Sequence, residues 1–528
     1  MTAGSLTLRG VRPVGALRIG LLGCCPGRIP VATLHGVEHD HLVKRRDLLV
    51  FAGLAALAGC GSPGAGSKGN SGGLTFANRL RVPPVLDPAV AADGTKQFSL
   101  TMRAGRTEVL PGKPTTTWGF NGAFLGPTIR ATRGDRVAMR VHNQLGEPST
   151  VHWHGMRLPA VMDGGPHQTV QPGTTWSPHW TIDQPAATSW YHPHPHGSTA
   201  KHVYRGLAGL FLVDDPATAA PDLPSTYGVD DIPLILQDKI LDANGRLQEN
   251  PKPTRGLIGD QILVNGVYDP FFEVTTALVR LRILNGSNAR MYNVEFADRR
   301  RFHVIGTDAG LLAAPATVDR VQLSPGERLE VLVEFAPRDQ VVLRSVAGDN
   351  GIDEGDYDLL KFVAADQLGP GPSVPRRLAA SPRIEAPAGA RERRFRLSGS
   401  DEINGREMEM TRIDEVVPAG ATEIWHVQNT VYAHNFHIHE VAFRILDVDG
   451  RQPPAYLQGP KDTAFIPAKS TVRLAVQFGR HTDPKTPYMY HCHILRHEDK
   501  GMMGQFVIVE PGTEASVPRT LPSHHHHG

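Results

Sequence analysis

The chain has few cysteines, and their positions are more informative than their number. Only 4 of its 528 residues are Cys, at positions 24, 25, 60 and 492, and the first three precede the part that is predicted to fold. If the leader is removed at Cys60, Cys492 has no partner for an intrachain disulfide. A disulfide framework is therefore excluded for the folded body, and one thiol remains for metal chemistry or for packing.

The chain also lacks an excess of charge of either sign. Lys and Arg total 55 against 53 Asp and Glu, so no basic face is predicted and nothing indicates binding to nucleic acid. Long amphipathic helical patterns are few, whereas Gly and Pro are abundant, at 55 and 43 residues. This composition is typical of many short strands joined by tight turns, as in an all-β fold of sandwiches or barrels.

The N-terminal segment is predicted to direct export. Arg45 and Arg46 precede an apolar stretch from Leu48 to Ala58, which is shorter than the roughly 20 residues that span a bilayer and fits a twin-arginine signal. Cys60 ends a segment similar to a bacterial lipobox, in which the Cys becomes lipid-modified. Cleavage of a plain signal peptide at a nearby small residue is the alternative. We expect a periplasmic or cell-surface monomer that touches the membrane only through such an anchor.

The rest of the chain is long enough for several domains. Roughly 450 residues remain after the leader, which suits about three domains of 100–200 residues each. Strand patterns separated by Gly/Pro turns predict three consecutive β-sandwiches. The predicted divisions are an export leader and flexible tether at 1–75, a first domain at 76–215, a second at 216–365, a linker at 366–389, a third domain at 390–512 and a tail at 513–528. The tail holds four consecutive His, which fit either a purification tag or a native metal-binding end.

The most informative segment is His491-Cys492-His493. In an extended strand the two imidazoles share one face, with Cα atoms about 6.6 Å apart, while the thiol faces the other way. With His497 and Met502 downstream, the thiolate would complete a His/Cys/His site with a weak axial Met, the ligand set of an electron-transfer blue copper. The tripeptide can therefore serve two metal sites at once and connect them covalently. An inert buried Cys is the alternative interpretation.

The histidines of the body concentrate in four short His-x-His motifs. On a strand, each motif directs two imidazoles to one face, so together they offer enough nitrogen ligands for three coppers with positions open to oxygen. One such motif alone could be ordinary strand histidines, but four of them with a Cys at this spacing predict a metal cluster. His434 and His497 remain to join Cys492. The four pairs are His152 and His154, His192 and His194, His437 and His439, and His491 and His493.

These motifs resemble those of the three-domain multicopper oxidases, which include laccases and bacterial copper efflux oxidases. The resemblance extends from about Phe76 to Glu510 and includes the segments at 162–166, 190–197, 263–266 and 461–463. It implies an all-β fold of three consecutive cupredoxin-like Greek-key β-sandwiches. It also implies four coppers per chain: one of type 1, one of type 2 and two of type 3.

The resemblance further implies a role for each motif. Type 1 copper would accept electrons one at a time from a reductant, and the other three coppers would reduce O₂ to two waters. The middle domain, without ligands, would be a spacer and a wall of the substrate approach. The implied ligands are His434, Cys492, His497 and axial Met502 for type 1, His152 and His437 for type 2, and His154, His192, His194, His439, His491 and His493 for type 3.

Two acidic residues match positions that the family places near the type 2 copper and the type 3 pair. These are Asp163 and Glu498. Because protons must reach a buried site of oxygen reduction, we expect them to relay protons. The alternative is that they orient the ligating histidines through hydrogen bonds.

The substrate is less well defined by the sequence. Copper efflux oxidases usually carry a Met-rich insert and an Asp/Met pair ahead of the first type 1 histidine, and residues 429–434 contain neither. We therefore expect oxidation of phenols and aromatic amines at the exposed edge of a type 1 histidine. A cuprous or other metal-ion oxidase and a non-catalytic copper-binding protein remain alternatives. A copper-free scaffold, like the cell-division relatives of the family, would have lost ligands, and none is missing here. A copper nitrite reductase fits poorly, because it lacks the paired type 3 ligands.

Overall fold

The computed structural model describes residues 69–216, 223–249, 255–378 and 383–521. Within these ranges strands far outnumber helices, and they form six sheets arranged as three successive pairs. The predicted all-β class with three consecutive cupredoxin-like sandwiches is confirmed. No helix in the same ranges is long and apolar enough to cross a membrane. The twin arginine, Cys60 and the terminal His run lie outside the described residues.

The first sandwich carries two of the histidine motifs. In strand β6 the buried Val137, Met139 and Val141 alternate with more exposed residues, so one face packs into the core. One of its sheets has the strand order β5-β11-β10-β7; the other has the order β2-β3-β6-β8, with β4 on β3 and β9 on β6. Strand β1, Asn78–Arg79, precedes this sandwich in the chain. The strands of the sandwich are β2 Ala89–Val90, β3 Lys96–Leu110, β4 Lys113–Phe120, β5 Ile129–Thr132, β6 Arg136–Asn143, β7 His152–His154, β8 Thr175–Trp176, β9 His179–Thr181, β10 Ala187–His192 and β11 Gly209–Asp214, with helix α1 at Thr199–Arg205 and a 3-10 turn at Ala160–Met162.

The middle sandwich has the largest sheet. Its sheets have the orders β14-β13-β12-β16-β21-β18-β19 and β1-β15-β23-β22-β17-β20. The strands are β12 Asp231–Lys239, β13 Gln261–Val264, β14 Val267–Tyr268, β15 Pro270–Thr276, β16 Leu278–Asn285, β17 Tyr292–Phe296, β18 Phe302–Thr307, β19 Gly310–Val318, β20 Arg320–Leu323, β21 Arg328–Glu334, β22 Gln340–Ser345 and β23 Tyr357–Gly369.

Two details differ from the predicted divisions. Strand β1 pairs with β15, where Asn78 lies opposite Pro270, so the start of the predicted first domain belongs to the middle sandwich. Strand β23 continues to Gly369 and covers the first residues of the predicted linker. A two-residue strand and an exposed strand end have no periodic pattern that the sequence could reveal. The other boundaries stay predictions.

The third sandwich carries the other two histidine motifs. Its sheets have the orders β25-β24-β27-β31-β29 and β26-β33-β32-β28-β30, and His437 of β28 lies directly opposite His491 of β32. The strands are β24 Glu392–Ser398, β25 Glu402–Ile403, β26 Glu415–Pro418, β27 Thr422–Asn429, β28 His434–Ile438, β29 Ala442–Val448, β30 Thr463–Ile466, β31 Thr471–Gln477, β32 Tyr488–His491 and β33 Met503–Val509, with helix α2 at Leu495–Asp499 and 3-10 turns at Ala455–Leu457 and Glu514–Ser516.

The histidine motifs lie at strand ends. Only the first motif is wholly strand, because β10 ends at His192, β28 at Ile438 and β32 at His491. The expectation that each pair lies on one strand is therefore wrong for three of the motifs. For β10, Pro193 has no N–H to continue the ladder; for β28, Glu440 has a left-handed backbone with φ +68°. The second histidine of each of these motifs therefore lies just beyond the end of its strand.

Candidate metal centres

The smaller of two histidine clusters surrounds Cys492. Its Sγ lies 3.4 Å from Nδ1 of His434 and 3.5 Å from Nδ1 of His497, and all three side chains are fully buried. Met502 joins them through its backbone: its carbonyl accepts the N–H of Cys492 at 3.1 Å, and its N–H donates to the carbonyl of His497 at 2.9 Å. The structure thus brings together the four residues predicted for type 1 copper.

The charge state of this cluster suits a metal cation. Burial raises the pKa of the Cys492 thiol to about 12 and lowers the pKa of His434 well below its usual value. The imidazole is therefore neutral and able to bind a metal, whereas the thiol loses its proton only if a cation takes the proton's place. One sulfur and two imidazole nitrogens form a donor set that copper prefers.

The larger cluster contains the eight histidines of the four motifs, all of them buried. Their ring nitrogens form three triads, two of which share His154, and within each triad the atoms lie within 4.8 Å of one another. The triads are His152, His154 and His437; His154, His192 and His493; and His194, His439 and His491. Every predicted type 2 and type 3 residue is in this cluster, which joins the first and third sandwiches. The division of the ligands among individual coppers stays a prediction.

Asp163 and Glu498 lie behind one of these triads. The Nε2 atoms of His194 and His439 each lie 3.2 Å from Nε2 of His491, so these three nitrogens converge. On the outer side, Nδ1 of His439 donates to Asp163 Oδ2 at 2.8 Å, and the oxygens of Glu498 lie 3.3 Å from Nδ1 of His194 and 3.2 Å from Nδ1 of His491. Both carboxylates are placed to orient ligand rings. Their relay role stays a prediction.

The ring of His154 has the opposite orientation to the rings of His194 and His439, because its Nδ1, and not its Nε2, faces another histidine of the cluster. Its Nδ1 lies 3.4 Å from Nε2 of His192, while its Nε2 lies 3.0 Å from Oδ1 of Asp462. The backbone carbonyl of Asp462 also accepts a hydrogen bond from Nδ1 of His437 at 2.8 Å. Sequence reasoning did not single out Asp462 as a site residue. Its only signal was its place in the segment at 461–463 that matched the family.

The larger cluster also fits a cationic group. Burial lowers the pKa of six of its imidazoles well below the usual value, so they are neutral: His154, His192, His194, His439, His491 and His493. Across the described part of the chain, Nε2 of His152, Nε2 of His437 and both ring nitrogens of His493 have no hydrogen-bond partner. Buried nitrogens of this kind are normally satisfied, and metal ions at the centre would satisfy them.

Comparison with known proteins decides the family. Models of multicopper oxidase domains match residues 101–218, 237–351 and 378–512. The multicopper oxidase mco of Staphylococcus aureus is 33% identical over 82% of this chain and 93% of its own length. The chain belongs to the multicopper oxidase family. It is an oxidoreductase, and membership of the family implies that it binds copper.

Other relatives of this multicopper oxidase carry different names. The crystal structure of a laccase from Pediococcus acidilactici superposes with a TM-score of 0.76 at 36% identity, covering 82% of this chain and 94% of that one. The multicopper oxidase of Campylobacter jejuni, described as a metallo-oxidase, has a TM-score of 0.74 at 27% identity and covers 85% and 99%. The cell division protein FtsP of Yersinia pestis is 36% identical over 89% of this chain and 99% of its own length.

The surface of the smaller cluster differs from expectation. His434 and His497 are both 0% exposed, so the predicted exposed histidine edge is wrong. The ring of Tyr432 lies over both, with its centroid 5.2 Å from that of His434 and 5.8 Å from that of His497. Tyr432 is itself partly exposed, and its hydroxyl hydrogen-bonds Ser400. The sequence showed a Tyr at this position but gave no signal that it covers the site.

Proposed function

We propose that this oxidase is laccase-like. It couples four one-electron oxidations of phenols or aromatic amines, made at a type 1 copper, to the reduction of O₂ to two waters at a trinuclear copper cluster. One observation carries the proposal: Cys492 belongs to the smaller cluster, while its neighbours His491 and His493 belong to the larger one. One peptide unit on each side of Cys492 therefore connects the smaller cluster, where electrons enter, to the larger cluster, where O₂ is reduced.

The proposed copper content is four per chain. Copper bound at these sites would supply reversible one-electron chemistry. The chain's own residues hold it in position and keep water away: the ligands are buried, and carboxylates or backbone carbonyls fix the outer ring nitrogens of several of them. We propose that Asp163 and Glu498, buried behind the triad of His194, His439 and His491, also deliver the protons that oxygen reduction consumes.

For the reductant, the covering tyrosine supports an aromatic substrate. A phenol or aromatic amine can lie against the partly exposed ring of Tyr432, which contacts the rings of both smaller-cluster histidines. Offset or edge-to-face stacking of two aromatic rings contributes about 0.5–1.5 kcal/mol beyond the area that it buries. The substrate would therefore reach the site through Tyr432 instead of a bare histidine edge.

A cuprous oxidase is the second candidate, and one contact favours it. The N–H of Met408 donates to the carbonyl of Gly501 at 2.9 Å, which places the segment at 407–410, with its two Met and two Glu, beside Met502. Thioether sulfur is a ligand that Cu(I) prefers. The relative from Campylobacter jejuni that is described as a metallo-oxidase is consistent with this alternative.

The first experiment measures copper per chain together with the visible spectrum and oxygen uptake. Four coppers, an intense blue band and oxygen consumption on addition of a substituted phenol are expected. Copper without oxygen consumption would instead indicate a binding protein. Steady-state rates with the phenol and with Cu(I), at controlled free copper, then separate the two substrates. A strong preference for Cu(I) would overturn the assignment of an aromatic substrate.

We also propose that the protein is exported by the twin-arginine route and acts as a periplasmic or cell-surface monomer with a lipid on Cys60. The support is the sequence of residues 44–60. Mass spectrometry of the mature N-terminus, with and without a Cys60→Ala substitution, tests the lipid. An unmodified N-terminus downstream of Cys60 in the unaltered protein would reject it.

A further inference from the structure

A short segment of the middle sandwich, residues 324–328, reaches both metal clusters. The side-chain amide of Asn435, next to His434, donates to the carbonyl of Pro325 at 2.7 Å. Gly326, with φ +84°, lies so close to the ring of His493 that a Cβ there would sit 3.1 Å from two of its atoms. The middle sandwich, predicted to be only a spacer and a substrate wall, therefore packs directly against the ligands.

Arg328, at the end of this segment, uses all five of its guanidinium N–H groups. Nε donates to the carbonyl of Thr188 at 2.9 Å, and the two Nη atoms donate to the carbonyls of Gly326 and Asp308, each at 3.0 Å. The other two N–H groups form a bidentate pair with Asp462, at 2.7 and 2.5 Å. The side chain is fully buried, so its position is fixed by these contacts alone.

Asp462 connects Arg328 to His154, a predicted metal ligand. The oxygen that Arg328 contacts at 2.7 Å is also the one that lies 3.0 Å from Nε2 of His154. Gly155, with φ +87°, makes room for the pair, since a Cβ there would lie 2.7 Å from Nη2 of Arg328 and 2.8 Å from Oδ2 of Asp462. The glycine that follows the first histidine motif is therefore explained by the ion pair behind it.

A second set of buried ion pairs fixes the residues next to Arg328 and Asp462. Nζ of Lys461 lies 2.9 Å from Asp308 and 3.0 Å from Glu327, and Asp308 also accepts the backbone N–H of Arg328 at 2.7 Å. All of these groups are buried. In such a set, loss of one partner leaves a charge without compensation, so the remaining groups rearrange. The orientation of Asp462 therefore depends on the middle sandwich.

We propose that Arg328 is a positioning residue of the trinuclear site. By clamping Asp462, it keeps Nε2 of His154 occupied and leaves Nδ1 facing His192 and the metal position. Without the clamp, Asp462 turns, and the hydroxyl of Thr463, 3.2 Å from Nε2 of His154, is the remaining contact of that nitrogen. The alignment of the His154 ring with His192 and His493 therefore loosens. This proposal rests on the assignment of His154 as a ligand under the proposed function.

The test compares R328Q and R328K with the wild-type protein, each loaded with copper. The readouts are copper per chain after dialysis against a graded chelator, the near-ultraviolet absorption of the coupled copper pair, and electron paramagnetic resonance. Loss of a residue that orients a ligand weakens metal binding by about 10–100-fold. We expect that range for the trinuclear coppers of R328Q, with new uncoupled copper signals and an undiminished blue band. R328K keeps the charge without the bidentate geometry and should lie between R328Q and wild type.

Arg393 provides a matched control. It forms a buried bidentate pair with Glu423, at 2.6 and 2.9 Å, within the third sandwich, and its other partners are Glu415 and the carbonyl of Val416, neither of which is a predicted ligand. R393Q should lower thermal stability without changing the copper-pair absorption. The proposal is overturned if R328Q and R328K keep wild-type trinuclear copper, or if R393Q loses it to the same extent at equal stability. If R328Q does not fold, R328K decides by the same criterion. A wild-type protein without four coppers would instead reject the proposed function.

Discussion

The two metal clusters share the tripeptide His491-Cys492-His493 and differ in what surrounds their ligands. Around the smaller cluster the contacts come from the ring of Tyr432, the amide of Asn435 and an apolar core that includes Phe436 and Ile494. Around the larger cluster the outer ring nitrogens face three buried carboxylates, those of Asp163, Asp462 and Glu498. The smaller pocket is aromatic and apolar, whereas the larger one is rich in acids.

The difference matches what each site has to do. An electron acceptor works without proton transfer, and an apolar surround that keeps water out limits the change in solvation when its charge changes. Oxygen reduction consumes protons as well as electrons, so acids that can deliver protons belong at that site. Carboxylates that also hold the ligand rings can serve both needs with the same atoms.

The two clusters also differ in how much of the fold they need. All four residues of the smaller cluster lie between 434 and 502, in one sandwich. The larger cluster takes histidines from the first and third sandwiches and depends on Arg328 of the middle one. The ligands of the smaller site therefore come from one sandwich, whereas the larger site requires all three sandwiches to be assembled correctly.

The strongest test of this comparison removes the sulfur ligand of the smaller cluster. In Cys492→Ser the blue band should be absent and oxygen uptake with a phenol should fall to background, because the hydroxyl does not replace the thiolate as a copper ligand. The trinuclear coppers should remain, because their ligands are unchanged. Copper per chain and electron paramagnetic resonance measure this. Full turnover in Cys492→Ser would show that electrons enter elsewhere.

A smaller effect is expected from Asp163→Asn. The amide oxygen can still accept the N–H of His439, so the ring stays oriented, but the side chain no longer carries a transferable proton. Reoxidation of the fully reduced enzyme by O₂ should slow by about 10²–10⁴-fold, the range for loss of a general acid. The blue band should keep its wild-type intensity.

Glu498→Gln gives a parallel measurement on the other side of the same triad. Rapid mixing of each reduced variant with O₂, followed by the return of the blue colour, separates this step from oxidation of the phenol. Unchanged turnover in Asp163→Asn would reject a relay role for that residue and leave only orientation of the ring.

Much of this arrangement could be predicted from the sequence, because its strongest signals are local. The spacing of His491, Cys492 and His493 predicts two adjoining sites, and the structure brings every predicted histidine ligand and Cys492 into one cluster or the other. The strand patterns separated by Gly/Pro turns likewise predict three β-sandwiches, as the structure shows. Such features depend on residues only a few positions apart.

The parts that the sequence did not predict depend on distant contacts. Arg328 and Asp462 are separated by 134 positions and meet only in the folded chain. The pairing of β1 with the middle sandwich and the covering of His434 by Tyr432 are likewise results of tertiary packing. No local period or motif reports such contacts, so the cover over the smaller site and the role of the middle sandwich became visible only in the structure.

The smallest predicted effect concerns Tyr432, whose ring covers the histidines of the smaller cluster. In Tyr432→Ala a phenol loses its stacking partner, worth about 0.5–1.5 kcal/mol, so its KM should rise by about 2–10-fold. The same change uncovers the rings of His434 and His497, so a small inorganic reductant without a ring should reduce the smaller site at least as fast as in wild type. Tyr432→Phe keeps the ring and is the matched control, with both rates close to wild type.

These two reductants, used anaerobically while the blue band is followed, distinguish a substrate contact from general damage to the site. Damage would slow reduction of the smaller site by both reductants, whereas loss of a substrate contact would slow only reduction by the phenol. An unchanged phenol KM in Tyr432→Ala would place the aromatic substrate elsewhere on the surface. Because the proposed proton-delivering acids, Asp163 and Glu498, lie behind the larger cluster, reoxidation by O₂ should be the same in all three proteins. A slower reoxidation in Tyr432→Ala would mean that the two clusters are not independent, and the contrast between them would fail.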